Sequence, residues 1–154
     1  MAENTFANNE IQVVVFKLGR EEYGISILQV QEIKKMADIT RVPHAPDYIK
    51  GVINLRGSVL PVLDLKKRLD LPPDEHTDST RIAIVKLDDI VVGMVVDAVS
   101  EVTTLNTSSI EPPQTVVSGV NAQYIEGVGK LEDRLLILLN LEAIIGVTAE
   151  LVKG

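Results

Sequence analysis

Residues 51–69, GVINLRGSVLPVLDLKKRL, lie in ungapped register with residues 127–145, GVGKLEDRLLILLNLEAII. Residues 16–33, FKLGREEYGISILQVQEI, match residues 85–102, VKLDDIVVGMVVDAVSEV, in the same way. The first comparison is offset by 76 positions and the second by 69, so a seven-residue length change separates the matched blocks. Two halves therefore carry the same elements in the same order. They differ most plainly at one turn, where Arg56-Gly57 in the first copy faces Glu132-Asp133 in the second.

Both copies are rich in β-branched residues and broken at regular intervals by turn signals, the pattern of short strands in hairpins. Ile11–Leu18 and Tyr23–Ile27 flank one turn, and Gly51–Leu55 and Ser58–Leu63 flank Arg56-Gly57. In the second half Arg81–Leu87 and Ile90–Val96 flank Asp88-Asp89, and Glu126–Leu131 and Leu135–Leu139 flank residues 132–134. The segment Ile27–Ile33 carries both a helical and an alternating period, and reads as a short helical turn running into a strand through Ile39. Pro43 and Pro46 break regular structure, and Pro46 opens a short helix over residues 47–50. Asp64 and Asn140 stand where helix caps belong, before Leu65–Leu69 and a last helix through Ile145.

Short strands with brief helices at their ends predict a mainly all-β fold of two small antiparallel barrels packed on each other, since closure removes free sheet edges. The expected domain covers residues 11–146, with a first barrel over about 11–73 and a second over about 80–146. The N-terminal strand is a candidate to cross between them. Residues 1–9 and 148–154 read as flexible tails.

Hydrophobic residues make up 45% of the chain, yet there are two Phe, three Tyr and no Trp, so the core is aliphatic. With 154 residues, each half is small for an independent module, and the halves are expected to share apolar surface. The absence of cysteine excludes disulfides, thiolate metal sites and cysteine nucleophiles. Net charge is −7, and stacking aromatics are scarce, which speaks against nucleic acid. No stretch reads as a signal peptide or a membrane span, so no direct membrane insertion is expected and the reading is a cytoplasmic protein.

Catalytic chemistry is not expected. His44 sits in a proline-flanked loop and His76 in the polar connector 72–79; neither stands beside a second ligand at metal spacing. The group Asp74, Glu75, His76 and Asp78 reads as a solvated linker rather than a cation site. Gly51 and Gly57 are too far apart for a dinucleotide loop and lack the Lys-Ser/Thr of a phosphate loop. Neither a cofactor nor a catalytic residue is expected. What remains is surface: Val30 and Val99 occupy equivalent positions, as do Glu32 and Glu101. The valines read either as barrel core or as matching edges of a groove between barrels. Arg56 reads either as a solvated turn residue or as an interface arginine.

Val-Gln-Glu-Ile (30–33), Gly-Val-Ile-Asn-Leu-Arg-Gly (51–57), Val-Leu-Pro-Val-Leu-Asp-Leu (59–65), Val-Val-Asp-Ala-Val-Ser-Glu-Val (95–102) and Arg-Leu-Leu-Ile-Leu-Leu-Asn-Leu (134–141) together resemble the CheW family of bacterial chemotaxis adaptors. The resemblance runs from about residue 11 to residue 146. It implies two five-stranded, SH3-like barrels and a non-enzymatic scaffold. It further implies two partners: the regulatory domain of the histidine autokinase CheA, and the cytoplasmic tip of methyl-accepting chemoreceptors. It places the protein in the cytoplasm, recruited to membrane-associated receptor arrays. Carried over by position, the partner contacts are Val30, Glu32, Ile33, Gly51, Arg56, Val99 and Val102, undivided between kinase and receptor. The same module also forms the regulatory domain of CheA and the front of adaptor–receiver fusions. The absence of kinase and receiver elements here favours the stand-alone adaptor. A small binding module with a ligand groove between the barrels is the alternative.

Overall fold

The computed structural model describes residues 5–6, 9–73, 75–113, 116–117 and 119–146. Ten principal strands are β1 (Glu10–Leu18), β2 (Glu21–Ser26), β3 (Val30–Lys35), β4 (Ile49–Leu55), β5 (Ser58–Asp64), β6 (Arg81–Leu87), β7 (Ile90–Val96), β8 (Ala98–Asn106), β9 (Ile125–Leu131) and β10 (Arg134–Leu139). Helix α1 (Leu65–Arg68) follows β5, and α2 (141–146) follows β10. Thus β1–β5 and α1 are replayed by β6–β10 and α2.

The sheets do not follow the halves. Barrel I has the strand order β3-β6-β7-β5-β4, and barrel II the order β8-β1-β2-β10-β9. Under the duplication these are the same order, with the opening hairpin of each copy built into the barrel of the other. The expected grouping of strands at 11–73 and 80–146 is therefore replaced by a reciprocal exchange of hairpins, not the crossing of one strand. Each guest hairpin is gripped on both sides: β7 runs parallel to β5 through Val62–Gly93, and β2 runs parallel to β10 through the equivalent pair Leu138–Gly24. The other side is antiparallel, β6 on β3 and β1 on β8.

Even the irregularities are duplicated. A bulge between Val30 and Glu32 on β3 recurs between Val99 and Glu101 on β8, and one between Ile49 and Gly51 recurs between Ile125 and Gly127. Barrel I is closed by an isolated bridge in which Thr40 and Val52 exchange amide hydrogen bonds of 2.9 and 2.8 Å. Barrel II is closed by the two-residue strand Ile110–Glu111, which pairs with β9 at Gly129 and Val128.

Because the guest hairpins are covered on both faces, β1, β6 and β7 read as near-continuous apolar runs. Val13 and Val15 of β1 point into barrel II with Leu105, Leu136 and Leu138. Phe16 and Leu18, of opposite parity, point into a core shared by both barrels with Tyr23, Leu63, Val85, Met94 and Ile137. Barrel I has its own smaller core around Ile53, Leu60, Val62, Ile82 and Ile84. Each fully buried aliphatic or aromatic side chain contributes about 1.5–3 kcal/mol of transfer free energy. The shared core is the largest of the three clusters, so it dominates cohesion.

Several local expectations are met in detail. Asp64 Oδ1 accepts the Lys67 amide at the start of α1, and Asn140 Oδ1 accepts the Ala143 amide at the start of α2. Residues 27–29 form a single 3-10 turn, with Ser26 Oγ accepting the Leu28 amide, before the chain enters β3, which ends at Lys35 short of the expected Ile39. The short helix expected over residues 47–50 is absent: Pro46 closes a turn through its carbonyl to the Ile49 amide, and Ile49 already belongs to β4. Pairing with β5 outweighs the helix-opening preference of Pro46. Of the expected tails, residues 1–4, 7–8 and 147–154 lie outside the described residues. Thr5–Phe6, read as frayed, pairs with Glu10 and Ile11.

Arg68 sits where the two copies meet. Its guanidinium lies between the rings of Tyr48 and Tyr124, 4.8 and 4.9 Å from their centroids, and these tyrosines are equivalent positions. It donates to the Ala143 and Ile144 carbonyls at 3.0 and 2.9 Å and to the Tyr124 hydroxyl at 2.9 Å. Ile144 is the position equivalent to Arg68 itself, so this side chain marks the pseudo-two-fold axis and satisfies carbonyls at the end of α2. Arg68→Ala should lower unfolding stability by about 2–4 kcal/mol, measured by denaturant titration.

Tyr23 is fully buried against Phe16, the rings stacked at 6.2 Å, and its hydroxyl has no hydrogen-bond partner. Burial, with a smaller push from Glu21, raises its pKa to about 12. The folded state therefore holds this proton more tightly than the unfolded chain. The resulting stability is complete below pH 10 and is lost as pH rises through 12, on the order of 2–3 kcal/mol. Tyr23→Phe should abolish that alkaline decline and raise stability at neutral pH by about 1 kcal/mol, read from denaturation at a series of pH values.

Candidate partner-binding surface

The turn Arg56-Gly57 takes positive φ at both positions, 52° and 85°, the geometry of a two-residue hairpin connection. Asn54 Oδ1 fixes it by accepting the Gly57 amide at 3.1 Å. The turn projects Arg56 away from the barrel, and its Nη2 donates to Glu32 Oε1 at 2.5 Å. Glu32 is the more sheltered partner, with 27% of its side chain exposed against 73% for Arg56. Two of the positions carried over from the family are thus joined directly, from strands at opposite edges of the barrel I sheet.

The second copy keeps this pair by another route. Glu132 replaces Arg56 at the turn, but Arg134 donates to Glu101, the equivalent of Glu32. Arg134 also lies 3.4 Å from Glu22. The hydrogen bond to Glu101, aided by Glu22 and Asp133 and opposed by desolvation, raises the pKa of the Arg134 guanidinium. The charge difference at the turn therefore relocates the arginine by two residues and preserves its partner.

Each barrel also exposes apolar side chains. Ile33 and Val59 are 36% and 64% exposed on barrel I; Val102 and Leu135 are 50% and 57% exposed on barrel II. Ile33 and Val102 are equivalent, as are Val59 and Leu135, so the exposure is a duplicated feature. Val59 and Leu135 were missed in the sequence because they lie within apolar runs. Their neighbours Leu60 and Leu136 are buried, and strand alternation turns the flanking residues outward.

The remaining candidates fall elsewhere. Val30 and Val99 are partly buried and pack against the shared core; the bulges at Gln31 and Ser100 put Glu32 and Glu101 on the other face of their strands, opposite Ile84 and Val15. Gly51 has φ 152°, and a Cβ there would lie 2.1 Å from the Thr40 carbonyl oxygen and 2.8 Å from Ile39 Cγ2. Its glycine is required by the bridge that closes barrel I. His44 and His76 are both exposed, and among the described residues no three His, Asp or Glu side chains cluster as metal ligands. No helix among the described residues is long and apolar enough to cross a membrane.

With this geometry, the CheW-like domain model matches residues 12–148, both barrels together. The chain belongs to the CheW family. It is 45% identical over 134 residues to the chemotaxis protein CheW of Bacillus subtilis, covering 87% of this chain and 86% of the relative. Against the chemotaxis protein CheW of Klebsiella aerogenes it is 38% identical over 134 residues, 87% of this chain and 81% of the relative. The crystal structure of the scaffolding protein TtCheW from Thermoanaerobacter tengcongensis superposes with a TM-score of 0.80 at 40% identity, covering 84% of each chain. As a CheW-family member it is a non-enzymatic scaffold of chemotaxis.

Gly51→Ala should detach the Thr40 bridge or unfold barrel I, a loss of at least about 3 kcal/mol. Hydrogen exchange at the Val52 and Thr40 amides, run beside denaturant titration, measures both effects.

Proposed function

We propose that this protein couples chemoreceptors to the autokinase CheA, acting in the cytoplasm and recruited to membrane-associated receptor arrays. The observation that carries the reading is the duplicated exposure: two apolar side chains and a Glu–Arg pair on each barrel, at equivalent positions. One chain thereby offers two similar faces, as a coupler that bridges partners requires. On each face the apolar side chains supply area, and the ion pair supplies orientation and exclusion of wrong partners. A barrel face docks on the regulatory domain of CheA, and the apolar surface along Ile33, Val102 and the partly exposed valines at 30 and 99 takes a receptor helix. Individually modest contacts gain strength when both are engaged at once.

Co-sedimentation of the purified chain with a receptor signalling fragment and CheA tests the proposal; failure to enter a ternary complex would sink it. Arg56→Glu sets a like charge against Glu32 on a mostly exposed surface. It should weaken partner binding by about tenfold while costing less than about 1 kcal/mol of stability. Unchanged binding to both partners in the same assay, alongside an unchanged denaturation midpoint, would remove Arg56 from the contact surface.

A further inference from the structure

The chain between β3 and β4, the start of β4 and α1 together wall an open cleft of about 830 Å³. Three cations line it, one from each element: Arg41, Lys50 and Lys67. Asp47 is the single carboxylate in the lining, and among the described residues none of the three cations enters a salt bridge. In a chain of net charge −7 this is a local reversal of the field.

The wall is already shaped for an occupant. Pro43 and Pro46 restrict the loop, His44 is held at φ 65°, and Thr40 is tied to Val52 at its start. Apolar surface is mixed with the charge, including Val42, which is 37% exposed. The cations are spread over separate elements instead of converging with backbone amides on one point. That spacing suits several carboxylates in a row better than a single phosphate.

We propose that this cleft docks an acidic, partly apolar peptide segment of a partner protein, with carboxylates against Arg41, Lys50 and Lys67 and an apolar side chain against Val42. None of the positions carried over from the family lines the cleft, so the proposal stands whether or not the coupling surface above is correct.

The test uses a fluorescein-labelled twelve-residue probe of alternating Glu and Leu, with its Lys-for-Glu counterpart, in anisotropy titrations at about 50 mM salt. The Glu peptide should bind saturably and the Lys peptide should not. Combined Arg41→Glu, Lys50→Glu and Lys67→Glu substitutions should weaken binding at least about tenfold, while Lys17→Glu with Lys86→Glu leaves it unchanged. On the wild-type protein, amide shift changes should centre on residues 39–50 and Lys67, which keeps the test independent of how the variants fold. No binding by the Glu peptide, equal weakening by both sets of substitutions, shift changes centred elsewhere, or displacement of the probe by millimolar inorganic phosphate would each overturn the proposal.

Discussion

Strand β2 lies parallel to β10, and β7 lies parallel to β5, so each sheet is held together by strands from opposite halves of the chain. These two short parallel contacts make the duplication a single body. Neither half can close a barrel on its own, because its opening hairpin is the middle of the other's sheet. A half of this length would bury too little surface to be stable alone. The exchange removes the difficulty by making the two barrels conditional on each other. The shared core follows from it, since each guest hairpin brings one face to its host barrel and the other to the space between them.

That constraint also explains what was legible in the sequence and what was not. Hairpins, turns and caps are local, and Asp64, Asn140 and the Arg56-Gly57 turn act as their residue types require. Strand partnership is not local. Phe16 and Leu18 have the same pattern whether their strand joins its own half or the other, so the repeat exposed the number and order of strands without their grouping. The turn at residues 47–50 was misread for a related reason: the Pro46 signal is local, and the pairing of Ile49 with Leu63 that overrides it is not. For the candidate site, Glu32, Arg56 and Gly51 entered only as single positions carried over from the family; the ion pair between Glu32 and Arg56 was not legible, because it depends on how the barrel brings β3 up to the β4–β5 turn. Val59 and Leu135 escaped because an outward side chain inside an apolar run is visible only once the sheet has two defined faces.

The turn that distinguishes the copies takes on a different meaning in three dimensions. Aligned letter by letter, Arg56 against Glu132 is a reversal of charge. In space the glutamates at 32 and 101 each hold an arginine, reached from the turn in barrel I and from the following strand in barrel II. The displacement has a consequence: Arg134 is close enough to Glu22 to engage a guest strand from the first copy, whereas the pair shown for Arg56 is with Glu32 alone. The faces thus carry matching residues, with the arginine on barrel II within reach of two carboxylates.

Asymmetry is forced at the axis as well. Two side chains as large as arginine cannot both occupy the point where equivalent positions meet, so Arg68 fills it from one copy, and its mate Ile144 offers it a carbonyl while its side chain packs into the shared core. The two tyrosines that sandwich the guanidinium can stay identical because they stand on either side of the axis, not on it. A duplicated scaffold therefore diverges first where its symmetry is physically impossible, and then at exposed turns where divergence costs little. Between those two places the strand order, the bulges and the closing bridges have no such freedom, since changing any one in a single copy would misfit the hairpin supplied by the other.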